Sequence, residues 1–192
     1  MDDKLKKKTE SAFINSEERK NLLHKLDIIN GKSGFVMGGY QGDVLQRYAG
    51  KSSVVKIPDI FLEIGYGAFL GNKYLETISM NENLRRIKLK AFKACKNLKI
   101  VKFNEMLYSI DNEAFSETAI ETIKTPESLK TIGDEAFKSC KSLKTAILNK
   151  GLTVIGEKAF SETAIETIKT PESLETIGDE AFKSCKSLKT AI

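Results

Sequence analysis

The residue types best suited to chemistry in this sequence are one histidine, three cysteines and recurring carboxylates. His24 has no histidine or cysteine neighbour at the spacing of metal ligands. The repeated part of the sequence contains no histidine, so a Ser-His or Cys-His nucleophile cannot be assembled there. Glu135 and Glu180 occupy equivalent places in the repeat, which predicts a solvated row of carboxylates. The sequence therefore predicts no catalytic residue, metal site or cofactor, and we expect a protein that is not an enzyme.

Two glycine-containing stretches near the N-terminus invite a nucleotide-binding interpretation. The sequence Gly31-Lys32-Ser33 matches the end of a phosphate-binding loop, but the glycine required upstream is replaced by Leu26. The glycines between residues 34 and 42 do not have the spacing of a dinucleotide-binding motif. These glycines instead predict turns.

The three cysteines, Cys95, Cys140 and Cys185, are each separated by 45 residues. This spacing predicts that they form one column, two turns of a repeating structure apart. At ~4.8 Å per stacked strand, neighbours in the column would be about 10 Å apart, beyond the ~7 Å limit for a disulfide. We therefore expect buried thiols.

An internal repeat dominates the sequence. The pattern Ile-x-x-x-Ala-Phe occurs six times, and its phenylalanines are spaced 23, 23, 22, 23 and 22 residues apart. A fixed period of this length predicts a solenoid, in which each turn buries its apolar face only against its neighbours. The motifs begin at Ile64, Ile87, Ile110, Ile132, Ile155 and Ile177, and the phenylalanines are Phe69, Phe92, Phe115, Phe137, Phe160 and Phe182.

Each turn contains a set of apolar residues that we expect to point inward. The predicted inward residues of one turn are Leu129, Ile132, Ala136, Phe137, Cys140, Leu143, Ala146 and Leu148. The same positions of an earlier turn are Leu84, Ile87, Ala91, Phe92, Cys95, Leu98, Val101 and Phe103.

The local pattern within a turn predicts its elements. Residues 143–148 alternate as a strand does, and an asparagine or proline follows the strand. Glycines such as Gly133 follow the isoleucine, where we expect the backbone to bend. Asp134 and Asp179 are positioned to cap one helical turn that contains Ala-Phe. Each turn is thus predicted to contain a strand, a loop, a short extended piece and a helical turn.

The first 50 residues differ from the repeats and predict an N-terminal cap. Apolar residues recur at helical spacing over residues 16–29, and two short strands flank a glycine-rich turn within residues 34–49. We expect a helix and a hairpin there, followed by a solenoid over residues 51–192 with about six turns and no C-terminal cap.

The repeats resemble the BspA-like leucine-rich repeat family. Residues 129–143 read Leu-x-x-Ile-Gly-x-x-Ala-Phe-x-x-Cys-x-x-Leu, and residues 42–58 are similar to the segment that leads into such arrays. The resemblance covers residues 42–192. It implies an α/β repeat solenoid, a right-handed coil of 22–23-residue turns with a parallel sheet on one face and short helical turns on the other. It also implies protein binding, often as a surface adhesin that attaches to host or matrix proteins or to other cells.

The charges do not form a continuous basic stripe. The net charge is +5, and lysine triplets such as Lys138, Lys141 and Lys144 are separated by turns that carry glutamates. Opposite charges alternate at the first strand position, which predicts attraction between adjacent strands about 5 Å apart. We therefore do not expect a nucleic-acid partner, although an electrostatic binder of acidic surfaces or nucleic acid remains an alternative. The alternating residues are Glu76, Lys99, Glu121, Lys144, Glu166 and Lys189.

The outward-facing residues of the predicted sheet are the candidate site for a protein partner. Solenoid sheets commonly serve as extended binding surfaces. The candidate partner-binding residues are Thr77, Ser79, Ile100, Lys102, Thr122, Lys124, Thr145, Ile147, Thr167 and Lys169.

Two further expectations concern the ends of the sequence. Residues 1–8 are charged and are not a signal peptide, and no apolar stretch approaches ~18 residues, so we expect a cytoplasmic protein without membrane insertion. If an export signal has been removed, the location would be the cell surface or outside the cell. The sequence stops at Ile192 inside a predicted strand, which would allow end-to-end homo-oligomers.

Overall fold

The computed structural model describes residues 34–39 and 42–191. The described residues form parallel β-strands in successive coils, which confirms the predicted solenoid of 22–23-residue turns. The predicted helix over residues 16–29 and His24 lie outside the described residues. The strands are β1 Phe35–Gly38, β2 Val44–Tyr48, β3 Val54–Lys56, β4 Glu63–Ile64, β5 Thr77–Ser79, β6 Arg86–Ile87, β7 Ile100–Lys102, β8 Ser109–Ile110, β9 Thr122–Lys124, β10 Thr131–Ile132, β11 Thr145–Ile147, β12 Val154–Ile155, β13 Thr167–Lys169, β14 Thr176–Ile177 and β15 Thr190–Ala191.

Two faces of the solenoid carry parallel sheets. The two-residue strands that contain the repeat isoleucines join β2 in one sheet, in the order β1-β2-β4-β6-β8-β10-β12-β14, which we call the isoleucine sheet. The three-residue strands of the other face form the threonine sheet, which has two parts, β3-β5-β7 and β9-β11-β13-β15. The short extended piece predicted in each turn is thus a strand of a sheet that runs through every described coil.

The first two strands form an antiparallel hairpin, in the stretch where the sequence predicts one. Phe35 lies opposite Tyr48, and the register shifts between Val36 and Met37. Strand β2 then pairs in parallel with β4, so that Leu45 lies opposite Ile64. The hairpin is therefore continuous with the isoleucine sheet.

A column of stacked phenylalanine rings runs through the core. The rings of Phe115 and Phe160 lie on either side of the Phe137 ring, each with centroids 5.3 Å away and nearly parallel planes. Phe137 is fully buried. Burying one such side chain contributes about 1.5–3 kcal/mol relative to leaving it exposed. The predicted inward set of residues 129–148 is confirmed, because all its members are buried.

The segments that contain Ala-Phe are not helical, and this part of the prediction is wrong. The structure assigns no helix to the described residues. Glu135 and Ser139 have φ angles of 54° and 57°, and left-handed residues recur at these two positions in successive coils. A right-handed helix needs consecutive residues in the right-handed conformation, and left-handed residues four positions apart interrupt it.

The amide hydrogen bonds of these segments alternate between their own coil and the next coil. The amides of Ala136 and Lys138 donate to carbonyls within their own coil, at 3.3 and 3.1 Å. The amides of Glu135, Phe137 and Ser139 donate to the next coil, at 2.8–2.9 Å. Each coil is therefore joined to the next at every second residue.

The predicted role of Asp134 as a helix cap is also wrong. Its Oδ1 accepts a hydrogen bond from the amide of Glu157 in the next coil, at 2.8 Å. The Asp134 amide donates in turn to Asn112 Oδ1 in the preceding coil, at 3.0 Å. Asp179 has no helix to cap either. Gly133, beside Asp134, has a negative φ, so it is not needed for a left-handed backbone. It is needed because the preceding coil passes close by: a Cβ at this position would lie 2.7 Å from the backbone nitrogen of Asn112.

Candidate binding surface on the threonine sheet

The structure places the predicted site residues on one face of the threonine sheet. Ile100 and Ile147 are 51% and 41% exposed, although both are large and apolar. Residues at the same strand position lie side by side, as Thr122, Thr145 and Thr167 do in register. From β3 to β13, the interior position between them is buried in every strand of this sheet except β7.

Strand β3 extends this face, and the sequence analysis did not include it. Val54 lies in register with Thr77 and is 65% exposed, and Lys56 lies in register with Ser79. The alternation of Val54, Val55 and Lys56 could have indicated this, because it has the same period as the later strands.

The predicted attraction along the edge of the threonine sheet does not produce ion pairs. Glu121 and Lys144 are exposed, and in the part of the chain that the structure describes no ion pair joins any members of this alternating column. The backbone bond from Lys144 N to Glu121 O, 2.9 Å, holds the coils together at this position instead.

The segments that contain Ala-Phe carry several of the ion pairs of the described chain. Lys90 and Lys93 both contact Glu113, and Lys96 lies 2.6 Å from Glu117. The hydrogen bond from Lys96 lowers the pKa of Glu117. The lysines of these segments are thus partly neutralised by glutamates of the neighbouring coil, which disfavours a continuous phosphate-binding stripe.

The ion pairs of Glu113 are partly buried and perturb both partners. Burial acts to raise the pKa of Glu113, but hydrogen bonds from Lys93 and Lys90 lower it overall. The hydrogen bond with Glu113 raises the pKa of Lys93. This arrangement favours the charged forms of both groups, which suits a structural ion pair.

Cys95 and Cys140 are part of the core, as the sequence predicts, whereas Cys185 is only partly buried. Burial raises the pKa of Cys95 to about 12 and that of Cys140 to about 11. The Cys140 thiol donates to Phe115 O at 3.1 Å, and all three cysteines are free. These properties disfavour a nucleophilic role for Cys95 and Cys140. Across residues 34–39 and 42–191, no cluster of metal-ligating side chains and no helix long and apolar enough to cross a membrane is found.

The threonine sheet is interrupted at its middle. Strands β7 and β9 belong to consecutive coils but do not pair, and one long backbone bond joins them among the described residues, from Glu121 N to Lys99 O at 3.4 Å. The neighbouring core position holds Phe103 in one coil and Thr125 in the next. The Phe103 ring meets Phe115 edge-on, with centroids 5.9 Å apart. The change from a large to a small side chain coincides with the separation of the strands.

Comparison with known proteins identifies the family. The model of the BspA type leucine-rich repeat region matches residues 62–189, in six copies. The chain therefore belongs to the BspA-type leucine-rich repeat family, which confirms the resemblance described from the repeats. Proteins of this family are repeat scaffolds that typically bind proteins or take part in adhesion, and they are generally non-catalytic.

Solved structures support the same assignment. The chain is similar to a Treponema pallidum (T. pallidum) leucine-rich repeat protein, with 27% identity and a TM-score of 0.78 over 83% of this chain and 79% of that one. It is also similar to a leucine-rich cell surface protein of Faecalibacterium prausnitzii, with 25% identity, a TM-score of 0.57 and coverage of 82% and 52%. The pneumococcal vaccine antigen PcpA is 25% identical, with a TM-score of 0.68 and coverage of 77% and 42%. The chain thus spans about half or less of the length of the last two proteins. A search of curated proteins finds no match.

Proposed function

We propose that this chain is a non-catalytic protein-binding scaffold, and that its recognition surface is the exposed face of the threonine sheet. The observation that carries the proposal is the exposure of three large apolar side chains on that face, Val54, Ile100 and Ile147. Val54 and Ile100 are more than half exposed and occupy the same strand position, two coils apart. Large apolar side chains that remain exposed among polar residues mark candidate surfaces for protein binding.

The charges of this face favour a partner that carries negative charges. Lys102, Lys124 and Lys169 are exposed, and within the described chain no carboxylate pairs with them. Several lysines beside the Ala-Phe segments, by contrast, contact glutamates of the same molecule. The threonine sheet therefore offers cations that a partner can neutralise.

The test compares threonines on the two sheets. Thr145→Arg and Thr167→Arg place bulk on the proposed surface, and Thr176→Arg places the same side chain on the isoleucine sheet, where Thr176 is also exposed. Partner proteins are captured on the immobilised wild-type chain, identified by mass spectrometry, purified and titrated against each variant. We expect Thr145→Arg and Thr167→Arg to weaken binding at least about tenfold, a loss of ~1.4 kcal/mol, and Thr176→Arg to leave it unchanged.

Thermal unfolding of the three variants serves as the control for folding. If variants on the threonine sheet bind as tightly as the wild type, while Thr176→Arg does not, the recognition surface is on the other sheet and the proposal fails.

A surface adhesin is the second candidate. The similarity to the cell surface protein of F. prausnitzii and to the vaccine antigen PcpA favours it. In that setting the same sheet face would attach to matrix or cell-surface proteins. Fractionation of cells that express the full reading frame, followed by protease shaving of intact cells, tests the location. A chain that stays protected from external protease would exclude the adhesin role.

A further inference from the structure

The interruption of the threonine sheet leaves a groove between β7 and β9. The groove has a volume of about 510 Å³, which is within the range of sites that hold one or a few side chains. It opens on the same exposed face as the predicted site residues, and Thr122 and Lys124 line it. In contrast, β9 and β11 on one side, and β5 and β7 on the other, pair in full register.

The groove is lined mostly by polar residues, but the gap also uncovers two apolar core side chains. Val101 occupies the interior position of β7 and is partly exposed, whereas Ile78 and Ile123 in the neighbouring strands are 0% and 1% exposed. Phe103 is also only partly buried and lines the groove. These two side chains were predicted to point inward, and they are the exceptions in their coil. They give an entering apolar side chain a surface to contact.

The rim of the groove has a cationic and an anionic end. Lys102 and Lys124 are the last residues of β7 and β9, and Glu105 and Glu127 follow three residues later, about 10 Å along the chain. Glu127 pairs with Lys150 at 3.6 Å, but both side chains remain mostly exposed. A uniform polyanion would meet repulsion at the glutamate end, which disfavours nucleic acid and favours a peptide.

We infer that this groove binds an extended peptide segment of a protein partner, in which one apolar side chain contacts Val101 and Phe103 and a neighbouring carboxylate pairs with Lys102 and Lys124. The inference rests on the proposed function, because it identifies the chemistry of the segment that the threonine sheet recognises. It assigns a specific contact to the gap between β7 and β9, where core side chains are partly exposed.

The probe is a phage-displayed library of random dodecapeptides, selected on the full chain. Selected peptides are synthesised and titrated against the wild type and the variant Lys102→Gln/Lys124→Gln. We expect an acidic residue beside an apolar one in the selected peptides, and a five- to tenfold weaker affinity for the double variant, as about two exposed ion pairs would give.

A matched control is built into the chain. Lys169 has the same sequence surroundings as Lys124 but lies in β13, where the sheet is continuous. Lys169→Gln should weaken the affinity for the short peptide less than Lys124→Gln does, because no groove opens beside Lys169 in the continuous part of the sheet. Replacing the acidic residue of the peptide by its amide should weaken binding to the wild type and not to the double variant.

Three outcomes would overturn the inference. The library could yield no peptide that binds, the peptides could depend on Lys169 as much as on Lys124, or single-stranded oligothymidylate could compete for the groove. The proposed function fails separately, when Thr145→Arg and Thr167→Arg leave the purified partner bound. A loss of partner binding in those variants, with no effect of Lys102→Gln/Lys124→Gln, keeps the sheet as the binding surface and removes the groove.

Discussion

Two parts of this chain have almost the same sequence and different surroundings. Residues 114–147 and 159–192, here the first and second copy, differ only in Lys130 against Glu175. The first copy is packed between coils on both sides, whereas the last coil of the second copy has a described coil on one side only. A comparison of the copies therefore separates what a coil's own residues determine from what its neighbours supply.

The burial of equivalent side chains differs strongly. Ile132 is fully buried in the first copy, and Ile177 is 51% exposed in the second. Phe137 is fully buried, but Phe182 is only partly buried and stacks on Phe160 with centroids 5.6 Å apart. The same backbone hydrogen bonds form within both copies, as in Ala136 and its equivalent Ala181. Local structure thus follows from the sequence of a coil, and burial follows from the coil beside it.

The largest expected difference between the copies is the loss of folding stability when a phenylalanine ring is removed. We predict that Phe137→Ala lowers the free energy of unfolding by about 3–5 kcal/mol, because it leaves a cavity between two stacked rings. Phe182→Ala should cost about half as much or less, since its ring has one described ring neighbour and is partly exposed. Urea unfolding of both variants and the wild type measures the two losses. Equal losses would show that neighbouring coils do not determine the burial energy.

The second prediction concerns thiol reactivity. In a chain that also carries Cys95→Ala, the variant Cys140→Ala reports on Cys185, and Cys185→Ala reports on Cys140. We expect Cys185 to react with a maleimide at neutral pH at least about tenfold faster, because Cys140 is fully buried and its pKa is about 11. Labelling followed by intact mass spectrometry gives both rates. Similar rates in the two variants would contradict the burial difference.

A smaller effect on folding stability is expected at the residue that precedes each copy. This residue is Glu113 before the first copy and Lys158 before the second. Glu113→Gln removes the contacts with Lys90 and Lys93 and should lower stability at neutral pH by up to about 1 kcal/mol. The pKa of Glu113 is lower in the folded chain, so its contribution is present at neutral pH and is lost as the pH falls through that lowered value. Stability of the variant should therefore depend less on pH in the acid range.

The control for this prediction is Glu127→Gln, whose ion pair with Lys150 is mostly exposed and should contribute little. The contribution of Lys93 to stability is lost in the alkaline range instead. Its pKa is raised, so this contribution is lost as the pH rises through that raised value. An unchanged acid dependence in Glu113→Gln would show that the ion pair does not form in solution.

The smallest effect is expected for the one position at which the copies differ. Exchanging the residues, as Lys130→Glu with Glu175→Lys, should change the free energy of unfolding by no more than about 0.5 kcal/mol, as is usual for surface substitutions. Both positions use the backbone amide to join the preceding coil, and the side chain takes no part in that bond. A larger change, measured by thermal unfolding, would mean that the copies are less equivalent than their backbones indicate.

The sequence was sufficient to predict the period and the core of the repeats. Six equally spaced phenylalanines require stacking, because each turn can bury them only against the next turn. The left-handed residues could not be predicted, since positions such as Lys90 and Ala94 carry residue types with no preference for positive φ. The interruption of the threonine sheet could not be predicted either, because β7 and β9 have the same alternation as their neighbours.

The candidate site was predictable in its placement and not in its shape. Period-two alternation alone places Thr122 and Thr145 outward, and the structure agrees. The groove lies between two coils, where Phe103 of one coil is followed by Thr125 of the next. That is a relation across coils, which a single-turn pattern does not contain. The binding role of these residues stays a prediction.

The amide hydrogen bonds that join each coil to the next also determine how the solenoid can change in length. The backbone hydrogen bonds between one coil and the next follow the same pattern in successive coils. A segment of 45 residues, which is two coils, can therefore be inserted between two coils without altering the hydrogen bonds at either junction. Such an insertion would lengthen the rod by two rungs, about 10 Å, and would add two more strands to each sheet. Unequal crossing-over between the near-identical copies could therefore change the length of the solenoid in whole steps. The proposed recognition surface on the threonine sheet would lengthen or shorten with it.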